Sequence, residues 1–231
     1  MMRRPTLSEL AWPMDNCSRR QAQDWAQAAS TQILDWTWRA FERLHDAVLS
    51  TVNITQPLEQ LERDLARLHF SEINMLWAQE TGGECAFTPH HEYPEQETRS
   101  PAPAKPPAYD IAFVWNNNPR FAWPIEAKVI RTPGSLAEYQ GDTEKFITGT
   151  AAPLTSEGSQ IAYLLSGTPR VFLDNLRDRL HYSLQQSPDF PQRPHGITCH
   201  PRTPAPDLRL HHLALFCGPD RKLLHLLDFD S

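Results

Sequence analysis

The chain has 231 residues, of which 40% are hydrophobic and 22% charged, with a formal net charge of −6. That length supports one core with room for an added helical layer, and that composition excludes a disordered chain. The acidic balance argues against a free, tight nucleic-acid binder, but not against an enzyme that meets nucleic acid through a local basic strip or a partner subunit. No apolar run is long enough to span a bilayer, and no secretory signal is legible at the start, so a cytoplasmic protein is expected. Cys17, Cys85, Cys199 and Cys217 form no CxxC pair and read as scattered buried thiols.

Residues 1–17 read as a loose leader. Ser18 to Gln21 has the pattern of a capping box and opens a long helix with Trp25, Ala29, Ile33, Trp36, Phe41, Leu44 and Val48 at helical spacing. A second helix starts near Pro57, carries Leu58, Leu61, Leu65, Leu68, Glu72 and Leu76 on one stripe, and ends at Gly82-Gly83. A short strand is predicted over Cys85–Thr88. The proline-rich stretch Pro89–Ala108 then reads as an exposed loop. Tyr109–Trp115 and Phe121–Ile130 alternate as two strands of a hairpin around Asn116–Pro119.

Ser135-Leu-Ala-Glu138 has the form of a second capping box, opening a helix with Leu136, Tyr139, Thr143, Phe146 and Ile147 on one side. Gln160–Leu165 is a further strand. Thr168-Pro169 starts a helix predicted to run to about Gln186, followed by a second proline-rich loop over Pro188–Pro206. Leu208–Cys217 and Lys222–Phe229 read as a closing hairpin around Gly218-Pro219. Strands alternating with helices predict an α/β fold with a mixed sheet covered by helices. The expected organisation is an N-terminal helical extension over 1–56 and one domain over 57–231.

Glu126-Ala-Lys128 lies on the second hairpin strand. A period of two puts Glu126 and Lys128 on one face, and Ile125, Ala127 and Val129 on the other. Charges on so apolar a strand are costly unless paired or bound to metal; an edge strand with one solvated face would explain the same pattern. Asp110 lies sixteen residues before Glu126, at the start of the preceding strand. A hairpin brings such carboxylates side by side, where they suit a hard divalent cation such as Mg²⁺. That ion would stabilise phosphoryl charge and lower the pKa of bound water. A neighbouring lysine would orient or deprotonate the water, or neutralise the pentavalent intermediate.

Asp110 followed by Glu126-x-Lys128 on a hairpin strand resembles the PD-(D/E)xK motif of restriction-endonuclease-like nucleases, with Tyr109 where the motif has proline. The predicted order from residue 57 to 166 (helix, three strands, helix, strand) is similar to that family's αβββαβ core. The resemblance implies a metal-dependent endonuclease using Mg²⁺, with Mn²⁺ as a substitute. It implies Asp110, Glu126 and Lys128 as catalytic residues, with metal held by Asp110, Glu126, Ala127 through its main chain, and an acidic residue from the preceding helix. Glu72, a carboxylate on an apolar stripe, is the candidate for that last role; a rim position is the plain alternative. Tyr139 and Gln140 are candidates for supporting the site from the next helix, with an ordinary helix surface as the alternative.

Residues 138–167 look similar to proteins of bacterial defence and restriction loci. This implies DNA as substrate, antiviral defence as role, and a homodimer or a complex with an ATPase- or helicase-type subunit. The competing readings are an idle or partner-activated assembly subunit of the same fold, and a toxin-like ribonuclease. His90, His91, His200, His211 and His212 match no zinc spacing and read as solvated. Arg170, Arg177, Arg179, Arg193, Arg202 and Arg209 are candidates for a phosphate-tracking strip, though surface arginines usually serve solubility alone.

Overall fold

The computed structural model describes residues 16–47, 49, 52–95, 108–180, 182–203 and 205–218. The leader apart from Asn16 and Cys17, the Ser18 side chain, Val48, most of the first proline-rich stretch and the predicted strand Lys222–Phe229 lie outside the described residues.

Two long helices come first, α1 (Asn16–Ala47) and α2 (Leu58–Thr81). Gly82 closes α2 in the left-handed conformation (φ 62°) that glycine adopts without a Cβ clash, and its N–H returns to the Ala78 carbonyl. The strands β1 (Phe87–Pro94), β2 (Ala108–Trp115) and β3 (Ala122–Ile130) follow, then α3 (Ala137–Ile147) and β4 (Glu157–Leu164). The chain continues with α4 (Pro169–Arg179), β5 (Gln185–Gln186), β6 (His195–His200) and β7 (Leu208–Phe216). The seven strands of the described residues form one mixed sheet in the order β1-β2-β3-β4-β7-β6-β5. β3, β4 and β7 run parallel at its centre, and antiparallel strands flank them. Among the described residues, no helix is long and apolar enough to cross a membrane.

Period-two alternation sorts the side chains onto two covered faces. Ile111, Phe113, Trp123, Ile125, Ala127, Val129, Ile161 and Tyr163 pack against α1 and α2, where Ile33, Trp36, Leu61, Leu65 and Ile73 are buried. Ile130, Ala162, Leu164, Ala214 and Phe216 pack on the opposite face against Tyr139, Phe172 and Leu176 of α3 and α4. His69 bolts the first layer together. Its Nε2 donates to the Thr37 carbonyl of α1 (2.7 Å), which leaves Nδ1 to accept from the Tyr163 hydroxyl of β4 (2.9 Å).

Five local expectations are corrected. β1 runs on through Pro89 to Pro94, because it is an edge strand and proline costs little where one side has no ladder. The helix α4 stops at Arg179. Leu180 turns extended (ψ 133°), and both Leu180 and Leu184 pack into the second core cluster, Leu184 against Gly196. The second proline-rich stretch contains β6. The capping box at Ser135 does not form: α3 begins at Ala137, and the Ser135 hydroxyl bonds Thr132 instead (2.8 Å).

Last, His200, His211 and His212 are buried rather than solvated. His211 bonds Glu157 (3.1 Å) and His195 (2.9 Å), whereas His212 bonds Tyr139 (3.0 Å) and Thr198 (2.9 Å).

Candidate active site

β2 and β3 pair from Val114↔Ala122 to Ile111↔Ile125, and there the ladder ends. β2 stays with β1 as far as Ala108, so it turns away from β3. One step further in the same register, Asp110 stands opposite Glu126. The parting strands leave main-chain N–H groups of β3 without a β2 partner, and such groups are costly to leave unmade. Two carboxylates take them. Asp110 Oδ2 accepts from the Ala127 N–H at 2.8 Å, and Glu62 Oε2 of α2 accepts from the Val129 N–H at 3.4 Å.

Lys128 projects into the same gap. Its Nζ donates to Glu62 Oε1 at 2.8 Å and lies 3.3 Å from Asp142 Oδ2 of α3. Asp142 also accepts from Lys145 at 2.6 Å. The result is a chain of charges, Glu62–Lys128–Asp142–Lys145, across the open end of the sheet. A cavity of about 270 Å³ lies over it, lined by Asp110, Glu126, Lys128, Asp142, Lys145 and Glu95.

The electrostatics follow from burial and crowding. Burial pushes the Glu126 carboxyl well above its usual range, and the charges of Asp110 and Asp142 push it further. Asp110 is raised by burial as well, partly offset by the Ala127 N–H and by Lys128. Burial works to lower Lys128, but Glu62, Asp142 and Asp110 outweigh it and hold the ammonium above its ordinary value. A proton or a cation between Asp110 and Glu126 would relieve both carboxylates.

The predicted site residues divide. Asp110, Glu126 and Lys128 share the cavity. Glu72 does not join them. The α2 carboxylate at the gap is Glu62, ten residues earlier and so about 15 Å down the helix and on a different face. Tyr139 faces the core, where its hydroxyl meets His212 and the Gln160 carbonyl. Gln140 is half-buried on α3 and outside the cavity lining. The α3 side chain that reaches the site is Asp142. The stripe Tyr139, Asp142, Thr143, Phe146 carries a carboxylate among core positions, which is the signal that pointed to Glu72 and holds better here.

Of the candidate arginine strip, Arg202 is turned into the fold, and Arg193 and Arg209 are ion-paired nearer the surface. Arg202 is buried and donates to the carbonyls of Phe146, Ala152, Thr155 and Pro206. Arg193 is paired with Glu42 and lies over Trp38, and Arg209 is paired with Glu157.

Among the described residues, no group of three or more His, Cys, Asp or Glu side chains is arranged to hold a metal ion. The carboxylates that line the cavity are Asp110, Glu126, Asp142 and Glu95, and Glu72 is not among them. Comparison with protein-family models, curated proteins and solved structures finds no match to this chain.

Proposed function

We propose that the chain is a metal-dependent phosphodiester hydrolase of the PD-(D/E)xK, restriction-endonuclease-like type, acting on nucleic acid with DNA favoured. The observation that carries this reading is the carboxylate pair Asp110 and Glu126 at the parting of β2 and β3, with the Lys128 ammonium fixed beside it. The order α2-β1-β2-β3-α3-β4, with β3 and β4 parallel across α3, supports an αβββαβ core of that type.

The donor set suits magnesium. Asp110, Glu126 and the Ala127 main chain offer oxygen alone, and Mg²⁺ is commonly held by one or two carboxylates while waters and a phosphate complete its shell. Bound there, the ion would supply charge stabilisation at the phosphoryl oxygens and a more acidic water. In hydrolysis a water oxygen bonds to phosphorus, the ester P–O bond breaks and the departing oxygen takes a proton. Lys128 meets the negative charge that grows on the phosphoryl oxygens. Held between Glu62 and Asp142, it stays an ammonium, which fits it as the local cation and not as the base. Glu62 is a positioning residue, since its two oxygens fix both the Lys128 ammonium and the adjoining main chain.

The internal commitment of Arg193, Arg202 and Arg209 favours a form in which a partner supplies part of the phosphate-binding surface. The test is Mn²⁺ binding by calorimetry together with plasmid nicking, for the wild type and Asp110→Asn. The reading expects both signals in the wild type and neither in the variant. Binding that survives Asp110→Asn would move the metal elsewhere and end this assignment.

A further inference from the structure

A second cavity adjoins the first. It measures about 850 Å³ and shares Lys128, Asp142 and Lys145 with its neighbour, so the two form one trough with those side chains as the divide. Its remaining wall combines apolar groups, Leu58 and Val129, with the carboxylates Glu59, Glu62 and Glu138. Leu58 is 36% exposed, more than an apolar side chain in a closed core would be.

Gly141 also lies in this wall, in the middle of α3. Glycine weakens a helix interior relative to alanine. A Cβ at Gly141 would meet nothing within 4 Å, so packing inside the protein does not call for glycine there. A bare stretch of helix backbone facing an open cavity leaves room for a chain to approach closely.

We propose that this cavity receives an unpaired nucleotide next to the scissile phosphate, so that the substrate is single-stranded or locally unpaired nucleic acid. The inference rests on the hydrolase reading above and adds its substrate class. The volume suits a ligand of nucleotide size and not a duplex. The chemistry is divided as a nucleotide requires. Lys128 and Lys145 stand at the divide, where the phosphate would pass; Lys145 is paired with Asp142 and 61% exposed, so its ammonium can be shared with a phosphate from the solvent side. Glu59 and Glu138 line the same wall, where they would repel phosphate but accept hydrogen bonds from the amino groups on base edges. Leu58 offers apolar surface to a base face. A paired base presents neither its face nor its full pairing edge, so the strand must be open to use this wall.

The experiment uses a fluorescent oligonucleotide, single-stranded or annealed to its complement, and compares the wild type with Gly141→Ala and Gly141→Gln. Binding is read by anisotropy with Ca²⁺ in place of Mg²⁺, and cleavage with Mg²⁺. The expected results are binding of the single strand at least about tenfold tighter than the duplex, and a loss of about tenfold in Gly141→Gln, the scale of one stacked base. Gly141→Ala should keep wild-type binding. Both variants should melt at or above the wild-type temperature, because alanine and glutamine are better helix formers, which separates blocking from unfolding.

Equal affinity for strand and duplex, or full binding by Gly141→Gln, would overturn the inference. Metal-dependent duplex cleavage at the wild-type rate by Gly141→Gln would remove the inference and leave the hydrolase reading in place. Single-strand binding that Gly141→Gln abolishes, with no cleavage by the wild type under any metal, would remove the hydrolase reading and keep the cavity as a strand-binding site. Binding of neither nucleic acid would overturn both.

Discussion

Replacing Lys128 with methionine removes the ammonium that stands between Glu62 and Asp142. Contacts of 2.8 and 3.3 Å are lost, and the side chains involved are 20%, 20% and 12% exposed. A hydrogen bond to a charged group contributes about 1.5–3 kcal/mol, and stranding its buried partner costs more than the bond itself. With partial solvent access, the low end applies to each contact, so Lys128→Met should cost about 3 kcal/mol. For a chain of this size that is a fall of roughly 6–12 °C in melting temperature.

Glu62→Gln alone should cost less. Lys128→Met combined with Glu62→Gln should be less destabilised than the sum of the two, because the double variant no longer holds Glu62 as an unmatched carboxylate. The coupling should reach about 1.5 kcal/mol. Urea unfolding of the four proteins at pH 7.5 gives all the terms. A loss below about 0.5 kcal/mol for Lys128→Met, or no coupling to Glu62, would show that the ammonium is not held as described. The same arithmetic makes Lys128→Arg a better probe of chemistry than Lys128→Ala, since a truncation that unfolds the site also silences it.

Acid should weaken the fold through His69, which burial lowers to about 4. A folded value below the unfolded one means that the unfolded state binds more protons, so this contribution is complete above about pH 6.5 and is lost as pH falls toward 4. At pH 5 the loss is about 2 kcal/mol; urea unfolding at pH 7.5 and 5 should show it, and His69→Gln should flatten that part of the slope. An unchanged slope in the variant would contradict the buried neutral imidazole. Glu126→Gln should leave the melting temperature unchanged or raise it, because it removes a buried carboxyl crowded by Asp110 and Asp142; a lower melting temperature would count against that crowding. Mn²⁺ at 100 times its dissociation constant should stabilise the wild type by about 2.7 kcal/mol and leave Glu126→Gln unmoved in a melting scan. Arg202→Met should cost about 3 kcal/mol and leave nucleic-acid affinity unchanged, since its guanidinium serves four internal carbonyls; a selective loss of affinity would restore it to a phosphate path.

Local patterns made much of this fold legible. The alternation in Tyr109–Trp115 and Phe121–Ile130 predicts the β2–β3 hairpin, and the apolar character of β3 predicts its central place. The leucine stripe and Gly82-Gly83 bracket α2 closely. Elements that depend on position in the sheet were not legible. Proline argued against a strand at Pro89, and only the edge position of β1 makes it acceptable. Leu180 and Leu184 carry the spacing of a helix, yet they reach the core from an extended chain, because burial rather than periodicity decides that segment. The buried histidines on β6 and β7 look like surface residues until the strands are paired and each ring finds a partner.

At the site, Asp110, Glu126 and Lys128 were recoverable from alternation within one hairpin. The helix carboxylate required knowing which turn of α2 passes the end of β3. Glu62 borders the leucine stripe and Glu72 lies further along it, and nothing in the local pattern separates them. What separates them is the tertiary gap where Ala127 and Val129 need acceptors. Asp142 was within reach of the same stripe argument applied to α3.

The most direct test of the central claim is metal-dependent cleavage of a labelled oligonucleotide panel, DNA and RNA, single- and double-stranded, by the wild type and Glu126→Gln with Mg²⁺ or EDTA. Glu126→Gln is the informative variant because it should remain folded. The account predicts cleavage by the wild type with Mg²⁺, none with EDTA, and none by Glu126→Gln at unchanged or higher melting temperature. Cleavage that persists in EDTA or in Glu126→Gln would contradict a metal-dependent hydrolase centred on Asp110, Glu126 and Lys128.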